Sequence, residues 1–231
     1  ETEMYLLDQA MNERGFTLDA EAVKAALSLI DKEFFALNAE LAILTDGVVE
    51  KATQRDQMTE WLASEGVDMP DTRKETVEWM LESTSISAPA RRALEIMQQL
   101  GKSSTAKYVK MEGWLCPDGR AHGGLLYHGA GTGRWSGAGI QPHNFPKGAI
   151  KDPEKLWDAL KTLDSKTILA CAPVGKNGEP VYLSVMDALS QGLRGVIVAS
   201  PNKELFVADY ASIEARVLMW VAGEEEALEI F

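Results

Sequence analysis

The stretch LFVADYASIEARVL, residues 205–218, sets an aspartate after four strand-like apolar residues and just before an amphipathic helical pattern. Two kinds of chemistry suit a carboxylate there. At a strand end, Asp209 can offer hard oxygen ligands to a divalent cation such as Mg²⁺. Ahead of a helix, it can instead accept the Ser212 or Ile213 N–H as an N-cap. The local pattern allows both. A second stretch, GAGTGR at residues 129–134, has the glycines of a phosphate-binding loop. The chain continues from it as WSGAGIQPHNFP, with two prolines, no helical pattern and no Gly-Lys-Ser/Thr, so a dinucleotide or P-loop site is excluded. His122, His128 and His143 do not fall at metal-ligand spacing with a carboxylate, and read as hydrogen-bonding groups of a glycine-rich segment. No Ser-His-Asp order or nucleophile elbow occurs.

The elements that must position these residues divide into two textures. Residues 1–110 read as helix. In TLDAEAVKAALSLIDKEFFALNAELAIL, Val23, Leu27, Ile30, Phe34, Leu37 and Leu41 form an apolar stripe at steps of three and four, with Thr17 or Asp19 as the cap. Three shorter helical patterns come next, RDQMTEWLASEGVDMP, RKETVEWMLES and APARRALEIMQQLGKSS, in which Trp61, Trp79 and Met80 read as core. From residue 111 onward glycine and turn signals such as Pro117-Asp118-Gly119 take over. RAHGGLLYHGA suits a strand of a hairpin, ELFVAD a short strand, and SIEARVLMWVAG a helix with Ile213, Val217, Leu218 and Val221 turned inward. The expected fold is α+β, a helical part over residues 1–110 followed by a mixed part over 111–231.

At 231 residues, with 45% hydrophobic and 25% charged residues, the chain has the composition of a soluble globular protein. Cys116 and Cys171 lie far apart without a CxxC partner and read as reduced thiols, which suits the cytoplasm. The net charge is −12, yet residues 85–151 hold nine basic residues (Arg91, Arg92, Lys102, Lys107, Lys110, Arg120, Arg134, Lys147 and Lys151) against Glu95, Glu112 and Asp118 alone. A basic middle between acidic ends can collect a polyanion locally while the rest of the surface repels it.

Four stretches resemble family A DNA polymerases, the bacterial DNA polymerase I type and especially its phage and prophage members. VADYASIEARVLMWVAG is similar to the first catalytic-carboxylate motif, and GAGTGRWSGAGIQPHNFP to the Thr-Gly-Arg segment with its downstream Asn-x-Pro. GKSSTAKY resembles the Lys-Ser-Thr stretch at the base of the thumb, and MNERGFTLD the lead into the thumb. They occur in family order along nearly the whole chain.

The resemblance implies template-directed attack of a primer 3′-hydroxyl on the α-phosphate of a dNTP, with two Mg²⁺ ions stabilising charge. Asp209 would hold both metals and Tyr210 would lend a carbonyl to one. Ser212, Ile213 and Glu214 would meet the nucleotide, Glu214 crowding the sugar 2′ position, while Arg216 reads as a structural partner. Arg134 would check the minor groove at the primer terminus, where acceptors are common to all base pairs. Gln141, His143 and Asn144 would contact template and primer, with His143 standing where glutamine is usual. Lys102, Ser103, Ser104, Thr105 and Lys107 would grip phosphates, with Arg91 and Arg92 adding charge. Ala211-Ser212 stand where Ser-Gln is familiar. The residues that hold the incoming triphosphate and the second metal-binding aspartate are not in the 231 residues, so the resemblance implies a helical thumb-like subdomain plus part of a palm, inactive alone and without stably bound Mg²⁺. Its partners would be primer-template DNA, dNTP and the remaining fingers and palm of the same polymerase, inside a bacterial or phage-infected cell. Two alternatives remain: a non-catalytic duplex clamp, and a protein-interaction bundle using Trp61, Trp79 and Met80.

Overall fold

The computed structural model describes residues 2–146, 150 and 152–230. They form two compact units, Glu1–Val198 and Ala199–Phe231. The first contains helices α1 (Thr2–Arg14), α2 (Ala20–Leu44), α3 (Arg55–Ser64), α4 (Lys74–Glu82), α5 (Ala88–Leu100), α6 (Ala106–Trp114), α7 (Pro153–Lys161), α8 (Ser165–Ala170) and α9 (Val185–Gly192). Its strands are β1 (Phe16–Thr17), β2 (Arg120–Ala121), β3 (Leu125–Leu126) and β4 (Ser136–Gly137). β1 pairs with β2 and β3 with β4, both antiparallel, so the fold is α+β as expected. The second unit carries α10 (Ile213–Ala222) and α11 (Glu225–Leu228).

Helix α2 starts where the sequence places it. Asp19 is the N-cap, its carboxylate accepting the Ala22 N–H at 2.9 Å and meeting Lys161 Nζ at 3.1 Å. Burial works to raise the Asp19 pKa, but these donors outweigh it and hold the carboxyl below its ordinary value. The apolar stripe then splits between two cores. Val23, Ala26, Leu29 and Ile30 join Tyr108, Met111, Leu156, Leu160 and Leu189, whereas Leu37 and Leu41 join Met58, Leu62, Val77 and Leu94. Phe34 lies against both. In the first core, Tyr108 is fully buried and donates its hydroxyl to the Leu189 carbonyl at 2.6 Å. Its ring meets Trp157 edge-on at 6.1 Å, and Trp157 donates to the Gly192 carbonyl at 3.1 Å. The second core is tied to α2 by Arg92, which reaches Glu40 with two nitrogens at 2.6 and 2.9 Å and Glu95 at 3.1 Å. The guanidinium holds the Glu40 carboxyl below its ordinary value. Such a forked pair on a half-exposed surface fixes geometry more than it adds energy. Trp61 packs partly buried against this core and Met80 is buried, but Trp79 is 65% exposed, contrary to its reading as core.

The expected strand RAHGGLLYHGA divides into two pieces that go to different partners. Positive φ at Gly123 (68°) breaks it, so Arg120–Ala121 pairs with β1 while Leu125–Leu126 pairs with β4. The β3–β4 hairpin is anchored on α1: Asn12 exchanges hydrogen bonds with both backbone groups of Leu125 at 2.9 Å. Buried Asp8 accepts from Asn12 at 3.1 Å and from the Trp135 indole at 2.8 Å. In the second unit, residues 203–210 pair with no described strand, so ELFVAD is irregular chain and not the expected strand. Ile213, Val217, Leu218 and Val221, expected inward, are exposed.

Gly15 precedes β1 with φ +62°, and a Cβ there would lie 2.3 Å from the Ala121 carbonyl oxygen. Gly66, after α3, also has positive φ (+81°) but nothing within 4 Å. Gly15→Ala should therefore lower stability by clearly more than the roughly 1 kcal/mol expected for Gly66→Ala from the left-handed backbone alone. Thermal or urea unfolding of the two variants measures the difference.

Candidate nucleic-acid interface

A groove of about 1290 Å³ opens in the first unit beside Phe34 and Asn38 of α2. Lys102, Ser103, Ser104, Lys107 and Asn144, all singled out in the sequence, line it together. So do Lys51, Arg55, Arg73 and Lys74, which were not. Against these six cations stand two lining acids, Glu75 and Glu78. A groove with this excess of cations concentrates polyanions even in a chain of net charge −12.

The cations are held by their backbone and neighbours. Asn38 Oδ1 accepts the Ala52 N–H at 2.9 Å, and Gln54 Oε1 accepts the Lys51 N–H at 2.8 Å, fixing the turn that carries Lys51. Arg73 lies 3.5 Å from Asp71, and Lys74 lies 3.6 Å from Glu78; all are exposed enough for a phosphate to compete. Lys102 Nζ meets Asp187 at 2.5 Å, and Ser104 bonds Ser190 at 2.8 Å, so this side of the groove is braced on α9. Partial burial, and then the neighbouring Lys110, hold the Lys107 amine below its ordinary value. The negative charge of a bound phosphate would oppose both effects by favouring the protonated amine. Thr105 is buried and donates its hydroxyl to the Lys102 carbonyl at 2.7 Å, shaping the 3₁₀ turn Ser103–Thr105 from behind.

Arg194 sets the Asn144 segment, donating to the Phe145 and Pro146 carbonyls at 3.0 Å. Asn144 in turn donates to Gln141 Oε1 at 3.2 Å, and Gln141, at φ 47°, donates to the Gly137 carbonyl at 2.9 Å. The His143 ring occupies the space where a Gly137 side chain would be. Arg134 is exposed in the turn between β3 and β4, closed by Gly133 N–H to Ala130 and Ala130 N–H to Arg134. That turn joins two strands, not a strand and a helix, in agreement with the exclusion of a phosphate cradle. Two basic residues expected to add charge here are engaged elsewhere. Arg92 serves Glu40 and Glu95, and Arg91 donates to the Leu81 and Ser83 carbonyls. Lys147 and Lys151 lie outside the described residues.

Asp209, Tyr210, Ser212, Ile213 and Glu214 belong to the second unit and are exposed. The N-cap position of α10 is Ser212, at φ 52° and without a side-chain cap bond, so Asp209 does not cap this helix. Arg216 donates to the Ala211 carbonyl at 2.9 Å. Among the described residues, no group of three His, Cys, Asp or Glu ligands includes Asp209. One carboxylate and the adjacent Tyr210 carbonyl are a fragment of a Mg²⁺ site and do not amount to a two-metal centre.

The sequence signal for the missed cations lies at helix starts. Arg55 and Lys74 open α3 and α4, where the macrodipole disfavours positive charge. A second correction concerns the histidines. The turn at Pro117-Asp118-Gly119 folds Cys116, Asp118 and His122 together, with ligand atoms all within 4.8 Å of one another, so His122 does share ligand spacing with a carboxylate.

The chain is 34% identical over its whole length to a DNA polymerase of Bacillus phage SP02. It spans about a third of the length of that relative (34%). No protein-family model and no solved structure matches the chain.

Proposed function

We propose that this chain is a primer-template-gripping part of a DNA polymerase of the family A type, its first unit holding duplex phosphates in the Lys102–Lys107 groove. The observation that carries the reading is the convergence of Lys51, Arg55, Arg73 and Lys74 with Lys102, Ser103, Ser104, Lys107 and Asn144 on one groove. The likeness to the phage polymerase along the whole chain supports it. Phosphate contacts of this kind carry affinity without reading sequence, which is what a polymerase needs. In this reading, residues 1–110 are a thumb-like part and 111–231 part of a palm. Arg134, with Gln141 and His143, faces the minor groove near the primer terminus, where acceptors are shared by all base pairs.

Asp209 and the Tyr210 carbonyl are assigned as ligands of Mg²⁺, which when bound neutralises charge on the triphosphate. Ser212, Ile213 and Glu214 are assigned to the nucleotide, Glu214 excluding a 2′-hydroxyl. The further acidic ligand is assigned to parts of the polymerase outside these 231 residues. A second reading is a duplex clamp without catalysis, resting on the groove alone, whose lining includes none of the residues 209–214.

Binding of the chain to a primer-template duplex should weaken with salt at a log–log slope of about −3.6, for about four neutralised phosphates. Lys74→Ala and Lys107→Ala should each reduce the slope magnitude by about 1 and weaken binding alike on unrelated sequences. Salt-independent binding, or slopes unchanged in both variants, would remove the groove from DNA recognition. The chain alone should incorporate no nucleotide in primer extension. In the polymerase that contains it, Asp209→Asn should cut turnover by several orders of magnitude while primer-template affinity stays within about twofold. Near-normal turnover would take Asp209 out of the metal site and leave the clamp reading.

A further inference from the structure

The turn after α6 places three potential metal ligands on one edge of the β1–β2 sheet. Cys116 Sγ, an Asp118 carboxylate oxygen and a His122 ring nitrogen all lie within 4.8 Å of one another. The backbone holds them there. Cys116 N–H donates to the Arg120 carbonyl at 2.8 Å, and Gly119 N–H donates back to Cys116 at 2.9 Å. Gly119 takes the φ of +77° that this reversal needs. Asp118 Oδ1 accepts the Arg120 N–H at 3.1 Å, which leaves Oδ2 directed at His122.

The two nitrogens of His122 are fixed differently. Nδ1 lies 2.6 Å from the Glu13 carbonyl oxygen at the end of α1, and a carbonyl can only accept, so Nδ1 carries a proton. Nε2 lies 2.9 Å from Asp118 Oδ2, a second acceptor. The neutral ring has no proton left for that contact. Either the imidazole is doubly protonated, or a cation replaces the Nε2 proton between ring, carboxylate and thiol. A backbone carbonyl holding the far ring nitrogen is the arrangement by which ligating histidines are oriented. The nearby Arg120 guanidinium is turned to other groups, donating to the Arg14 carbonyl at 2.5 Å and to Thr17 Oγ1 at 2.9 Å.

We infer that Cys116, Asp118 and His122 form a binding site for a borderline-soft divalent metal ion, Zn²⁺, unrelated to the Mg²⁺ chemistry assigned to Asp209. A thiolate and an imidazole select against Mg²⁺ and Ca²⁺, whereas one sulfur, one nitrogen and one carboxylate oxygen suit tetrahedral Zn²⁺ with water in the fourth position. Ligand atoms of such a site lie about 3.5 Å apart, so the Nε2–Oδ2 pair, now at 2.9 Å, opens to admit the ion while Cys116 Sγ, within 4.8 Å of both, closes on it. Binding displaces the Cys116 thiol proton and any Nε2 proton to solvent. The ion joins the 115–122 turn to the end of α1 through Glu13, bracing the sheet that β1 and β2 form.

The test uses the reduced, metal-free chain. Co²⁺ should bind at one equivalent with the visible bands of a tetrahedral site and thiolate charge transfer, and Zn²⁺ should displace it. Both signals should be lost in Cys116→Ser and in His122→Gln. A readout without mutation is the alkylation of Cys116 by iodoacetamide, which one equivalent of Zn²⁺ should slow by at least about tenfold, since coordination ties up the thiolate. The exposed Cys171 is the internal control and should react unchanged. Absence of thiolate charge transfer, the same spectrum in both variants, or equal slowing of Cys116 and Cys171 would overturn the assignment.

Discussion

Helix α2 supplies apolar side chains to two hydrophobic cores at once. Its 25 residues extend about 37 Å, and the periodic stripe that begins at Val23 changes partners near Phe34. The near half packs with α6, α7 and α9, and the far half with α5, in a core to which α3 and α4 also contribute. A single uninterrupted helix through two cores fixes their spacing. The groove opens beside the switch point, lined by Phe34 and Asn38, with Lys51, Arg55, Arg73 and Lys74 belonging to the far side and Lys102, Ser104 and Lys107 to the near side. Its width therefore depends on the helix together with the turns that carry Lys51 and Asn144. The Arg92–Glu40 fork and the Tyr108–Leu189 hydrogen bond secure the two ends.

Charge obeys the same logic. A chain of net charge −12 holds a polyanion only where its cations converge and its acids do not. Proximity in sequence is a poor guide to that convergence. Arg91 and Arg92 sit beside the Lys102 stretch in the chain, yet packing uses them to close carbonyls and bind Glu40. Lys51 and Lys74 are remote in sequence and meet Lys102 only because α2 brings both cores together. The Lys102–Asp187 contact at 2.5 Å keeps one cation in place before any phosphate arrives.

The features legible in the sequence were local or periodic. The Asp19 cap, the α2 stripe and the end of α5 near Gly101 come from rules that operate within a few residues. Pairing was not legible, because it is decided between distant segments. Gly123 cut one expected strand in two, and the apolar residues 205–208 find no ladder among the described residues. The second-unit helix starts at Ser212 in the left-handed region, so Asp209 stands clear of a cap that sequence alone allowed. The Cys116–His122 cluster was missed because spacing rules written for helices do not describe a tight turn. Trp79, at helical core spacing, faces outward because α4 has one buried face and that tryptophan is not on it.

Amine-acetylation footprinting with and without a primer-template duplex at low salt addresses the central claim most directly. The account predicts protection of Lys51, Lys74, Lys102 and Lys107 by the duplex, with Lys24, Lys155, Lys166 and Lys176 reacting as in the free chain. Protection of the latter set, with the four groove lysines unchanged, would contradict it.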